Sequence, residues 1–294
     1  MNICYSLREN IIKWVLATIA WCSLIFLGLI MLFLVMESLP IFSFVSIKNF
    51  FFGMEWYPTY EPPEFGIFPL IMGSVSVTVL SSLIAIPLGV MSALWLSEIA
   101  PSVVRRVVKP LIELLAALPS VVIGLVGMVL LAPFLQDFFD ADTGLNLFNA
   151  SVMLAFMSVP TICSVTEDAL QAVPTSLREA SLALGATRWE TIKKIIIPAS
   201  FSGIGTACML GMSRSIGETM VVLMVAGGAS IVPETLFSPV RPMPAAIVAE
   251  MAEAPFRSEH YHALFAIGLL LFLFTLLFNV LAMRISEKHR QVLG

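Results

Sequence analysis

Six long apolar stretches alternate with short polar ones along this chain, at roughly 11–36, 68–96, 109–135, 148–172, 200–226 and 262–284. A helix needs about 20 largely apolar residues to cross a bilayer, so the pattern predicts six spans and an all-α integral membrane fold. Pro119 and Pro160 interrupt the third and fourth stretches, which membrane helices accommodate where neighbours re-satisfy the freed backbone. The pattern divides the chain into residues 1–67 (a first span and its following loop), a membrane core over 68–286, and a short tail over 287–294.

One polar island breaks the alternation. Residues 174–198, between the fourth and fifth stretches, carry two capping-box patterns, Ser176 with Glu179 and Thr187 with Glu190. Gly185 lies between them, suited to the left-handed position that ends a helix, and Pro198 marks the start of the next span. Two short helices meeting at a glycine, with Leu177, Ala180, Leu184, Trp189, Ile192 and Ile195 among them, can present a knob to a groove. The same pattern also fits an amphipathic loop lying on the membrane surface.

The loops also carry charge information. Of the sixteen Lys and Arg residues, twelve fall in the N-terminal segment, the second and fourth connections and the C-terminal segment. They are Arg8, Lys13, Arg105, Arg106, Lys109, Arg178, Arg188, Lys193, Lys194, Arg284, Lys288 and Arg290. Basic residues concentrate in cytoplasmic loops, so both termini and the island are expected in the cytosol. The first apolar stretch is too long for a signal-peptide core and is read as retained. The outer loops, 37–67 and 227–261, are expected to hold interfacial aromatics (Phe50 to Phe52, Trp56, Tyr57) and a short surface helix over 245–254.

Composition narrows the classes. The chain is 59% hydrophobic and 12% charged, with net charge −4, against about 25% charged for a soluble domain. No basic run has the density of a nucleic-acid surface. The four cysteines show neither metal-ligand spacing nor a disulfide framework. His260, His262 and His289 are expected at exterior or tail positions, and no metal site is expected.

Two charges fall inside the fifth stretch. Arg214 and Glu218 are four residues apart, on one face if the helix is continuous. Arg214 is expected roughly 21 Å into the span at 1.5 Å per residue. Burying such charges is costly, which makes them a functional-site hypothesis. They could be a salt bridge pinning helices together, or an anion site in an aqueous path, where a guanidinium matches oxyanion geometry. Ser74, Thr78, Ser81 and Ser82 form a small polar stripe on the second span that suits helix packing or pore lining. Glu113, Glu167 and Asp168 are expected to pack loops or interfaces.

The island's spacing resembles the EAA loop of permease subunits of bacterial ABC importers. Glu179-Ala180, then Gly185, then nine residues to Ile195 and a closing Ile197-Pro198 follow that pattern, with Ser181 and Ile197 as mild departures. The resemblance implies the type I importer permease fold and a coupling helix that docks on a separate ATPase. It carries Glu179, Ala180, Gly185 and Pro198 over to that ATPase-coupling role. The chain has no Gly-x-x-x-x-Gly-Lys-[Ser/Thr] phosphate cradle. ATP and Mg would therefore belong to the partner, with no cofactor and no catalytic residue in this chain.

Longer stretches are similar to the phosphate-specific importer's permease subunits, of the PstC type. These include Phe65-Gly-Ile-Phe-Pro-Leu-Ile-Met-Gly-Ser74, Lys109-Pro-Leu-Ile-Glu-Leu-Leu-Ala-Ala-Leu-Pro-Ser-Val-Val122, Ser164-Val-Thr-Glu-Asp-Ala-Leu170 and Gly217-Glu-Thr-Met220. The similarity implies a heterodimer with a paralogous permease, two ATP-binding subunits, an exported phosphate-binding protein and alternating access in the bacterial inner membrane. It assigns Arg214 and Glu218 to the phosphate path. Gly227-Gly228 departs from it, since Gly-Asn is expected there. Transport of another oxyanion (molybdate, sulfate, a phosphonate), an ATP-independent anion transporter or channel, and a membrane sensor are the alternatives.

Overall fold

A computed structural model describes the backbone of residues 2–288 and the side chains of 12–281, 283 and 284. His289 and Arg290, and the tail from 289 onward, lie outside the described residues. Helix α1 (Asn2–Ser38) carries the first span. A short helix α2 (Ile47–Phe52), capped by Ser46, leads to a hairpin in which β1 (Trp56–Tyr57) pairs antiparallel with β2 (Glu64–Phe65). Next come α3 (Phe68–Leu94), α4 (Ser102–Ala116), α5 (Ser120–Val126), α6 (Ala132–Phe139) and α7 (Leu147–Gln171). The chain continues through α8 (Thr175–Ala183), α9 (Arg188–Thr191), α10 (Ile197–Gly217), α11 (Met220–Val225), α12 (Met243–Glu250) and α13 (Glu259–Lys288).

Among the described residues, six helices are long and apolar enough to cross a membrane: Ile12–Phe44, Phe68–Ile99, Ser120–Phe139, Leu147–Gln171, Arg188–Gly217 and Glu259–Leu281. Two spans differ from the sequence expectation. The third starts at Ser120 rather than near 109, because 102–116 forms the separate amphipathic helix α4. Val103, Val107, Leu111 and Leu114 recur along one side of α4, while Arg105, Arg106 and Lys109 lie among them; Pro119, in extended backbone, then breaks the chain before α5. The fifth span begins at Arg188, inside the island, and ends at Gly217.

Three π-helical turns (Trp95–Ile99, Gly127–Leu131, Ile192–Ile196) share a cause. Each ends two residues before a proline: Pro101, Pro133 or Pro198. Proline has no N–H to give the helix, and its ring clashes with the carbonyl four residues back. A widened turn just upstream moves that carbonyl aside. At Pro133 and Pro198 the helix therefore runs on through the proline; at Pro101 it stops.

Helix α7 is the axis of the bundle, 61% buried over its apolar window. Its Ile162 is clasped by two glycines. A Cβ on Gly89 of α3 would stand 2.7 Å from Ile162 Cγ2, and one on Gly211 of α10 would stand 2.5 Å from Cγ1. Small residues there let three spans approach closely, as membrane helices do when no hydrophobic force separates lipid-facing from helix-facing surfaces. The polar stripe on α3 joins this packing: the Met243 amide donates to Ser74 Oγ at 2.7 Å, and Thr78 and Ser81 donate to carbonyls of their own helix.

The aromatic loop differs from expectation as well. Phe50, Trp56 and Phe65 are buried in a core with Ile67, Leu70, Met243, Leu264 and Ile267, rather than exposed at an interface; Phe52 and Tyr60 remain exposed.

Candidate functional site

At the end of the bundle where α3 and α7 finish, the island forms a helix–glycine–helix knob. Gly185 has φ +84, the left-handed conformation that costs other residues a Cβ clash. A Cβ there would meet nothing within 4 Å, so the requirement is backbone shape alone. The second capping box forms in full: Thr187 Oγ1 accepts from the Glu190 amide at 3.3 Å, and Glu190 Oε2 accepts from the Thr187 amide at 3.0 Å. The first does not form. Pro174 takes the N-cap position of α8 with no side-chain cap, because the helix starts one residue before Ser176 and places that side chain within its first turn.

A buried hydrogen bond between Ser181 and Thr191, 2.9 Å, holds α8 to α9. What the knob presents is selective. Ile192 is buried, while Leu184 and Trp189 stand 89% and 65% exposed. Glu179, Ala180, Gly185 and Pro198 are all exposed. Pro198 lies inside the continuous helix 188–217 rather than at its start.

Ion pairs tie this end together. Glu167 near the end of α7, its side chain 1% exposed, accepts from Arg105 Nε at 2.9 Å and forms an ion pair with Lys109 Nζ at 2.8 Å, both on α4. The contact with the Glu167 carboxylate is the main cause that raises the Lys109 pKa above its ordinary value; burial opposes it, and Asp168 adds to it. Arg178 of α8 lies 2.8 Å from Glu98, in the π-helical turn that follows α3, and donates to the Leu170 carbonyl of α7 at 2.8 Å.

Within the bundle, Arg214 sits in the last turn of α10 and Glu218 lies beyond its end. The helix stops at Gly217, and Glu218 takes extended backbone (φ −70, ψ 129). The two side chains therefore do not share a helix face, contrary to the four-residue spacing. Arg214 Nη1 donates to Thr161 Oγ1 of α7 at 3.2 Å. Glu218 Oε1 accepts from the amides of Met220 and Val221 at 3.2 and 3.4 Å, capping α11. Among the described residues no ion pair joins them. The neighbours of Arg214 extend the polar seam: Ser215 bonds Ser158 of α7 at 3.0 Å, and Ser213 donates to Asn279 of α13 at 3.1 Å. Sequence reasoning passed over Thr161, Ser158 and Asn279. A Ser and a Thr flanking Pro160 in an apolar span were the available signal.

At the opposite end, His260 and His262 are buried. Glu250 at the end of α12 gathers Trp56 Nε1 (3.0 and 3.1 Å), Arg241 and His260 Nε2 (2.8 Å). Burial raises the Glu250 carboxyl, but the bonds from His260 and Trp56 and the Arg241 charge outweigh it, leaving its pKa below the usual value. Arg241 also donates to the Gly228 carbonyl at 2.7 Å. Gly227 and Gly228 have φ +93 and +71, and only Gly227 is crowded, by the Leu145 carbonyl and Pro239. The second position thus needs left-handed backbone alone, which asparagine also adopts, so Gly-Gly and Gly-Asn serve one turn.

With this geometry in hand, residues 85–291 match the family of binding-protein-dependent transport system inner membrane components. The chain belongs to that family. It is a multi-pass inner-membrane protein. A probable ABC transporter permease protein, YqgH of Bacillus subtilis (strain 168), is 39% identical over 92% of this chain and 89% of its own length. The phosphate transport system permease proteins PstC of Pasteurella multocida and Haemophilus influenzae are 35% and 32% identical, over 87% and 97% of this chain and 87% and 95% of their own.

Solved structures give the same fold at low identity. A bacterial alginate ABC transporter in complex with its alginate pentasaccharide-bound periplasmic protein aligns with TM-score 0.66 and 17% identity, over 95% of this chain and 94% of that chain. The inward-facing MetNI methionine ABC transporter aligns with TM-score 0.59 and 20% identity, over 74% and 94%. The fold of this inner membrane component is that of a type I ABC importer permease.

Proposed function

We propose that this chain is the membrane-spanning permease subunit of an ATP-driven importer of inorganic phosphate. The observation that carries the reading is the pairing of one preformed knob, with Leu184 and Trp189 bare at its tip, with the Arg214 guanidinium inside the bundle. The knob is a docking surface for an ATP-hydrolysing subunit, in which Glu179, Ala180, Gly185 and Pro198 serve coupling. ATP and Mg are held by that partner. Phosphate as cargo is supported by relatives named phosphate transport permeases that span nearly the whole chain.

The knob end faces the cytosol. It gathers Arg105, Lys109, Arg178, Arg188, Lys193 and Lys194, the bias expected of a cytoplasmic face. An even number of spans then puts both termini on that side. The Glu250 end faces outward, where an exported phosphate-binding protein docks and a paralogous permease completes the path. Arg214 offers bidentate N–H donors to a phosphate oxyanion that apolar side chains cannot match, and the broken helix at Glu218 belongs where a span lines an aqueous path. ATP-driven movement of the docked knob switches which side that path opens to.

The test is uptake in proteoliposomes holding this subunit with its partner permease, ATPase and binding protein. ATP-dependent uptake of phosphate, but not of sulfate or molybdate, is expected. Uptake that persists without ATP, or that prefers another oxyanion, overturns the reading.

A further inference from the structure

Arg178 bonds the knob to two membrane spans at once. Its Nη1 stands 2.8 Å from the Glu98 carboxylate on the π-helical turn that ends the second span. Its Nη2 donates to the Leu170 carbonyl at 2.8 Å, in the last turn of α7. The Glu98 side chain is only 8% exposed and also accepts from Ser97 Oγ at 3.1 Å, so a second donor holds its carboxylate. A planar guanidinium cannot follow both partners if they move apart. The Ser181–Thr191 bond, by contrast, joins α8 to α9 within the knob and reaches neither span end that Arg178 bonds.

We infer that the Glu98–Arg178–Leu170 clamp converts displacement of the knob into joint movement of α3 and α7, making Glu98 and Arg178 positioning residues for transport. The inference rests on the knob being the ATPase dock. Helix α7 then carries the movement inward: Thr161, the partner of Arg214, lies about 14 Å from Leu170 along the helix at 1.5 Å per residue. Charge at both ends of the clamp matters because removing the cation leaves the buried Glu98 carboxylate with only the neutral Ser97 hydroxyl bonded to it.

The test uses the assembled complex in proteoliposomes and reads phosphate moved per ATP hydrolysed. Glu98→Gln keeps side-chain volume and one accepting oxygen while removing the charge, and Arg178→Lys keeps the charge while removing the fork. Both are expected to co-purify with the ATPase and to hydrolyse ATP. Phosphate moved per ATP should fall about fivefold or more, the lower range of site–site coupling. A variant in which hydrolysis and uptake fall together, ratio unchanged, shows a merely structural role and overturns the clamp. So does an unchanged ratio at full activity. If the wild-type ATPase cannot be crosslinked to 174–198, the docking reading fails and the clamp with it; crosslinking with an unchanged ratio sinks the clamp alone.

Discussion

Arg214 of α10 donates to Thr161 Oγ1 of α7 at 3.2 Å, across the seam where Pro160 removes a backbone donor from α7. The hydroxyl engages one terminal nitrogen of the fork, and in the function proposed above the other N–H groups serve the oxyanion. Arg214→Ala is therefore expected to abolish phosphate uptake while the ATPase still co-purifies. Thr161→Val should raise the KM for phosphate about tenfold or more, about 1.5–3 kcal/mol for one lost hydrogen bond to a charged group, with Thr161→Ser restoring it. Wild-type kinetics in Thr161→Val would remove the threonine from the path.

Glu218 has two separable roles, a cap and a charge. Glu218→Ala strips the acceptor for the Met220 and Val221 amides, a loss of about 0.5–2 kcal/mol for a helix cap. Glu218→Gln keeps an accepting oxygen. Thermal melting in detergent should fall for the alanine variant and hold for glutamine. Uptake should fall in both if the charge serves the path, and a fully active glutamine variant would assign Glu218 to capping alone.

Gly211 has no room for a side chain because Ile162 occupies it. Gly211→Val should destabilise by about 1–3 kcal/mol through overpacking. Ile162→Ala in the same chain should recover part of the loss, since the two sites share one volume. Additive losses in that double-mutant cycle would show that the clasp is not the cause.

Glu250 supplies the pH dependence. Its folded-state carboxyl titrates below the ordinary value of about 4.3. The unfolded chain thus binds the proton first as pH falls. The stabilisation is complete above that ordinary value and drains away as pH drops below it toward the folded value. Hydrogen exchange over the 227–261 loop should accelerate in that acid window in the wild type. Glu250→Gln should exchange faster at neutral pH and lose the acid step. An acid step that survives the substitution would point to another carboxylate.

How much could be read from the chain alone varied with the range of the interaction. The number and order of spans, the left-handed Gly185 and the Thr187–Glu190 box were legible because each depends on residues within a few positions. The Ser176–Glu179 box does not form for a local reason: α8 starts at Thr175, which leaves Ser176 inside the first turn with Pro174 at the cap. The third span was misplaced because a hydropathy average cannot separate an amphipathic helix from the span that follows it. Val103, Val107 and Leu111 count as apolar whichever way they face.

The amino-acid sequence by itself determined that this is a six-span membrane chain with one polar knob and one intramembrane arginine. Long apolar runs, proline positions and charge bias act locally and survive any arrangement of the helices. Only the tertiary structure decided what those features touch. It broke the helix at Gly217, so Arg214 met Thr161 and Glu218 became a cap. It drew His260 into the Glu250 cluster and set Arg178 across the ends of α3 and α7. Those outcomes depend on contacts between residues tens to hundreds of positions apart, where close packing of helices, not residue spacing, chooses the partner.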